Sequence, residues 1–173
     1  MNSLNILLSY SYIYNLFPIT WGDILFGIHE GFLDFKAAVE HSYNIIEKEE
    51  NSSQRVLDMA FLHGNVSIYP LIDELVEEEN KYDEKHAKEK YLYAVLKWVY
   101  KNQSTFSEPL EAVECIYADF GYPEIISKFV RYASNNEPDL GSRELNIKRI
   151  YNNWEKYLET EKIKWKKEMN IKF

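Results

Sequence analysis

The chain has 173 residues, a formal net charge of −8 at pH 7 and a single cysteine, Cys115. Its length predicts one domain over residues 1–173, and the lone cysteine excludes an intramolecular disulfide or a multi-thiolate metal site and fits a reducing cytoplasm. A hydrophobic fraction of 46% and an aromatic fraction of 16% are ample for a packed core, and no run of about 18 apolar residues offers a membrane span.

Residues 1–19 show two competing patterns. Leu4, Leu7, Leu8, Tyr12 and Leu16 fit a helical face, whereas Ser9 to Tyr12 alternates like a strand; helix is the expectation. The segment lacks the basic start and small-residue cleavage site of a secretory signal. Thr20 then opens a helix with Asp23 three residues on, a capping-box pattern. Trp21, Ile24, Leu25 and Ile28 face inward, and Gly31 ends it. Asp34 caps a second helix whose apolar side is Phe35, Ala38, Val39, Ile45 and Ile46, followed by the polar run Glu47 to Ser53. A third helix runs from Ser53 through Val56, Leu57, Ala60 and Phe61 to Gly64.

The next begins around Ser67 with Pro70 in its first turn. It carries Leu71, Ile72, Leu75 and Val76 inward and ends on the acidic run Glu77 to Glu79. Asp83 starts a longer helix with Ala87, Tyr91, Ala94, Val95 and Trp98 at helical spacing. After a loop at Asn102 to Phe106, Ser107 caps a helix bearing Leu110, Val113, Tyr117 and Phe120. Gly121 supplies a left-handed stop, and Pro123 suits the first turn of a following helix that buries Ile125, Ile126, Phe129 and Val130. Residues 134–141 read as a linker. Ser142 starts a long amphipathic helix over 142–173, with Ile147, Tyr151, Trp154, Leu158 and Trp165 on one face and a basic ending. The expectation is an all-α fold of about eight helices, arranged as antiparallel pairs in the manner of an α-solenoid but without a sequence repeat.

Charge is graded along this chain. Residues 1–80 hold 13 acidic and 3 basic side chains, and residues 142–173 hold 5 acidic and 9 basic ones. Such asymmetry marks a partner-binding face when it is not mere solvation. The basic last helix, with Trp154, Tyr157 and Trp165 interleaved, lies in a chain too acidic for nucleic-acid binding. A contact with the acidic half is its simpler use.

The catalytic candidates are weak. His29, Glu30, Asp34 and His41 lack the spacing of a zinc-protease helix, and the two histidines read as partly exposed helix residues. Glu111, Glu114 and Asp119 offer carboxylates for acid-base chemistry without a nucleophile nearby. Asp119 reads instead as a partner for the amides of the turn before Tyr122 and Pro123, and Arg131 as an ion-pair partner of one of these acids. Acidic neighbours make Cys115 a packing residue rather than a nucleophile. No phosphate loop, nucleophile elbow or zinc-finger spacing occurs, so neither cofactor nor metal is expected.

The run Pro109-Leu-Glu-Ala-Val-Glu-Cys-Ile-Tyr-Ala-Asp-Phe-Gly-Tyr-Pro123, followed by Phe129-Val-Arg-Tyr132, resembles a bacterial family of small acidic proteins of unknown function. Its motif positions here are Glu114, Tyr117, Asp119, Gly121, Tyr122, Pro123 and Arg131. Trp21-Gly-Asp-Ile24 and Gly31-Phe-Leu-Asp34 look like the family's N-terminal half, so the resemblance spans about Thr20 to Tyr132. No activity or catalytic residue comes with it. In size, acidity and lack of a catalytic motif, such proteins look like immunity proteins of bacterial toxin systems.

That likeness implies a cytoplasmic, non-catalytic protein-binding module, an immunity protein or antitoxin that neutralises a basic toxin domain through an acidic surface, without nucleic-acid or membrane partners. Steering by opposite charge and rigid tyrosine anchors would serve such binding. The contacts expected are Glu74, Glu77, Glu78 and Glu79, with Tyr69 and Tyr82 beside them. A small carboxylate-dependent enzyme, or a helical adaptor or regulatory protein unrelated to toxins, are the alternatives.

Overall fold

The fold is all-helical. The computed structural model describes residues 1–49, 51–64, 66–133 and 137–171, and among these it contains eight α-helices, two short 3-10 turns and no strand. Positions 134–136 of the expected linker, position 50 of the polar run and the last two residues lie outside the described residues. Two compact units share the chain: Asn5–Tyr91, and Met1–Leu4 with Leu92–Phe173.

The unit Asn5–Tyr91 contains α1 (Tyr10–Tyr14), α2 (Trp21–His29), α3 (Lys36–Lys48), α4 (Gln54–Ala60), α5 (Tyr69–Glu79) and the first part of α6 (Glu84–Lys101). Helix α2 packs on α3, α3 on α4, α4 on α5, and α5 returns to α2. The result is a closed ring of four helices rather than an open stack of pairs.

Local capping fixes most helix starts. Thr20 Oγ1 accepts the Asp23 amide while Asp23 Oδ2 accepts the Thr20 amide at 2.8 Å, a complete capping box. Ser53 and Asp83 cap α4 and α6 through the Val56 and His86 amides. The Lys36 amide donates to Asp34 Oδ1 at 2.9 Å.

The N-terminal expectation needs correcting. Residues before Tyr10 are not helical: positions 3 and 4 form a turn, Asn5 is left-handed at φ +51°, Ile6 and Leu8 are buried and Leu7 is 60% exposed. The alternating pattern therefore decides which side chains face inward, and the Leu8 amide donates to the Phe32 carbonyl at 2.8 Å. Helix is confined to the five residues of α1 behind the Ser9 cap. Phe35 also differs from expectation: it is 52% exposed, ahead of the first turn of α3.

Tyr91, fully buried, is the hub of this unit. Phe17, Phe26 and Phe32 surround its ring at centroid distances of 6.5, 5.4 and 5.7 Å, and its hydroxyl donates to the Asp23 carbonyl at 3.0 Å. Burial pushes that phenol far above its usual pKa. Gly27 permits the approach, because a Cβ there would lie 2.1 Å from the Tyr91 hydroxyl oxygen. Beside it Lys90, 2% exposed, donates to Asp23 Oδ2 at 2.6 Å and to the Pro18 carbonyl at 2.8 Å. A buried ammonium is tolerable only with such partners.

The second unit contains the rest of α6, then α7 (Pro109–Asp119), a 3-10 segment (Glu124–Phe129) and α8 (Arg143–Ile171). Val113, Tyr117, Phe120, Ile126 and Phe129 are all buried, as the hairpin pattern requires. Phe129 stacks on Trp154 at 6.2 Å and packs on Tyr157 at 5.4 Å. Three details differ from the sequence expectation. The N-cap of α7 is Glu108 rather than Ser107. The segment after Pro123 is 3-10 rather than α. Its tighter winding turns Ile125 outward to 61% exposure while Ile126, Phe129 and Val130 stay buried. Ser142 caps α8 by accepting the Leu145 amide at 3.2 Å.

Candidate functional site

The expected acidic contacts lie on α5, whose first turn carries Pro70 and whose end is set by Asn80 in the left-handed conformation. Glu74 and Glu78, one turn apart, share a face. Arg55 of α4 spans them, Nε to Glu74 Oε2 at 2.7 Å and Nη1 to Glu78 Oε2 at 3.2 Å. These two carboxylates hold the guanidinium pKa above its ordinary value, Glu74 most strongly. All three side chains are about half exposed, so the pairs contribute little to stability. Glu77 is exposed. Glu79 also acts within the fold, where its Oε2 accepts the Trp21 amide at 2.7 Å and satisfies a donor at the start of α2.

Beside this row lies a groove of about 360 Å³ whose floor is Trp21, Ile45, Val56 and Leu75 and whose rim carries Glu49, Glu78, Glu79 and Lys81. It joins the start of α2 and the ends of α3 and α5. Its lining includes neither histidine nor cysteine. An apolar floor with a mainly anionic rim suits a long cationic side chain, stem on the floor and head at the carboxylates. Glu49 and the floor residues are not among the contacts expected from sequence. The repeated acidic spacing of Glu74 and Glu78 is a signal for a facing cation such as Arg55.

The two tyrosines separate. Tyr82, 43% exposed, lies against Gly22 near the start of α2, where an added Cβ would come within 2.2 Å of its Cδ2. Burial, then the Glu84 carboxylate, raises its phenol pKa. Tyr69, 46% exposed, starts α5, about 15 Å along the axis from Glu79 at 1.5 Å per residue. There it lines an apolar groove of about 500 Å³ with Phe35 and Val66.

The motif residues of the second unit form a scaffold around α7. Arg131 donates to both oxygens of Glu114, at 2.7 and 3.0 Å, with Glu108 and Glu111 at 3.8 and 4.0 Å. Glu114 is the main cause that raises the Arg131 pKa. Asp119 differs from expectation: its Oδ2 accepts the Ser3 amide and hydroxyl, both at 2.8 Å. The turn amides of Phe120, Gly121 and Tyr122 go instead to the carbonyls of Ile116, Ala118 and Tyr117. Gly121 and Tyr122 are both left-handed, at φ +77° and +60°, and Pro123 follows at φ −66°.

The histidines also separate. His29 Nδ1 lies 3.2 Å from the Glu30 carboxylate at the surface. His41, expected to be partly exposed, is buried: Tyr10 lies 2.9 Å from its Nδ1 and Trp21 meets it edge-on at 4.6 Å. Among the described residues no group of three or more His, Cys, Asp or Glu side chains is placed to hold a metal ion. None of the described helices is long and apolar enough to cross a membrane.

No curated protein and no solved structure matches the chain. A family model does, over residues 10–162, and on that match the chain belongs to the bacterial family described as uncharacterized protein conserved in bacteria (DUF2247).

Proposed function

We propose that this protein is a non-catalytic binding module that neutralises a basic protein partner, as a cytoplasmic immunity protein neutralises a toxin, through the acidic surface of α5. The observation that carries the reading is the groove beside α5, an apolar floor whose rim sets Glu49, Glu78 and Glu79 against the single cation Lys81. Such a surface combines steering by charge with an anchor site for a lysine or arginine side chain. Glu74, Glu77 and Glu78 extend the negative field along the helix, with Arg55 opposing it only in part.

The test is co-expression with the product of the adjacent gene, followed by charge reversal at Glu74, Glu77 and Glu78. Glu79 is left intact because it caps α2. Loss of steering predicts an association rate lower by about tenfold or more at low salt, with weaker salt dependence and an unchanged fold. A reversed variant that binds and protects like the parent at low salt refutes the acidic-surface mechanism. Failure of any neighbouring product to bind removes the immunity reading.

A further inference from the structure

The second unit of this acidic chain gathers four lysines on two neighbouring helices. Lys97 and Lys101 lie one turn apart on α6, and Lys162 and Lys166 one turn apart on α8. The helices meet where Tyr100 of α6 sets its ring edge-on to Trp154 of α8 at 5.1 Å. Further along, Glu159 of α8 acts on both Tyr93 and Lys97 of α6, so the turn carrying Glu159 and Lys162 lies beside the turn from Tyr93 to Lys97. Lys97 is half-buried, and its Nζ donates to the Tyr93 hydroxyl at 3.0 Å, which fixes where the ammonium stands. Burial first, then the Lys101 and Lys162 ammoniums, pushes the Lys97 pKa down; Lys166 adds to this and Glu159 opposes it.

Little negative charge answers the cluster. Both Glu159 oxygens already lie 3.1 Å from Lys162 Nζ, and Glu161 lies 3.6 Å from Lys164. Among the described residues Lys97, Lys101 and Lys166 have no carboxylate partner. Ammoniums held near one another repel, and a bound anion removes that cost while gaining from each of them.

The kind of anion follows from the cations and from the field around them. All four are lysines. An ammonium lacks the planar fork with which arginine matches a carboxylate, and as a point charge it suits the tetrahedral oxygens of a phosphate. The chain as a whole carries −8, which repels a long polyanion. A compact anion feels mainly the charges within a Debye length, about 8 Å at physiological salt. Linked phosphates place several negative charges inside that distance.

We propose that Lys97, Lys101, Lys162 and Lys166 form a binding site for a compact, multiply charged phosphate anion of the di- or triphosphate kind. The site shares no residue with the groove beside α5, so its failure would leave the function proposed above untouched.

Calorimetric titration of the full chain with tripolyphosphate, at fixed ionic strength and near-neutral pH, tests the site. Orthophosphate, citrate and a single-stranded oligonucleotide are the comparisons. One-site saturation is expected, about tenfold tighter than with orthophosphate or citrate. Lys101→Gln and Lys166→Gln, both at exposed positions, should each weaken it about threefold, and Lys97→Gln about fivefold. Exposed Lys148, in the first half of α8, is the control, and Lys148→Gln should change nothing. Glu159→Gln, which releases Lys162, should tighten binding, an effect that no merely structural role would produce. Circular dichroism checks the helix content of each variant, and the two exposed positions decide the outcome if Lys97→Gln unfolds. No saturable binding, citrate binding as tightly as tripolyphosphate, or a loss in Lys148→Gln equal to that of the cluster variants overturns the proposal. Tighter binding of the oligonucleotide overturns it in favour of nucleic acid.

Discussion

Acidification tests the burial of His41. The residue is 6% exposed, with Tyr10 at its Nδ1 and Trp21 against its edge. Burial, with a smaller repulsion from the Lys48 ammonium, pushes its pKa from 6.5 down to about 4. The folded value lies below the unfolded one, so the unfolded chain takes up the proton first as pH falls. The contribution to stability is complete above about pH 6.5, declines toward about pH 4, and changes no further once both states are protonated. A gap of about 2.5 pH units at about 1.4 kcal/mol each amounts to about 3 kcal/mol. Carboxylates titrate in part of the same window, so the measurement is a comparison with His41→Phe. That variant keeps a flat ring against Trp21 but has nothing to protonate. It leaves the Tyr10 hydroxyl without its partner, a cost of about 1 to 3 kcal/mol that is independent of pH. Urea unfolding of both proteins across the window should show the parent losing about 3 kcal/mol more than the variant. Two stability curves falling in parallel would refute the reasoning, because they would mean that the charged imidazole is accommodated in place.

Two further substitutions use the same assay. Lys90→Met strips Asp23 of its buried counter-ion and the Pro18 carbonyl of its donor, at a cost of about 3 to 5 kcal/mol. Adding Asp23→Asn should recover part of that loss, and a single-variant cost below about 1 kcal/mol would show the pair to be hydrated. Phe129→Ala opens a cavity against Trp154 and Tyr157, with an expected loss of about 3 to 5 kcal/mol. A loss below about 1 kcal/mol would contradict its burial.

What is legible in the sequence is mainly what neighbours in the chain decide. The Thr20–Asp23 box and the caps at Ser53, Asp83 and Ser142 are bonds spanning three residues, and the rules that predict them are local. The burial of Val113, Phe120 and Phe129 follows from periodicity for the same reason. Errors arise where distant partners intervene. Local rules assign Asp119 to its own turn, but the turn amides already have backbone carbonyls, which frees the carboxylate for Ser3, 116 positions away. His41 reads as a partly exposed residue because no local rule foresees Tyr10 and Trp21 closing over it. The acidic row is visible as composition, but the assignment of Glu79 to the start of α2 is not.

That last contact links the opening of two helices. The first turn of a helix ordinarily frays alone, exposing its amides without disturbing the rest of the protein. In α2 the Trp21 amide is held by a carboxylate 58 positions later, at the last residue of α5. Deuterium exchange at Trp21 therefore reports the detachment of the α5 end as well as local fraying at Thr20. The protection of one backbone amide becomes a gauge of whether the four-helix ring is shut.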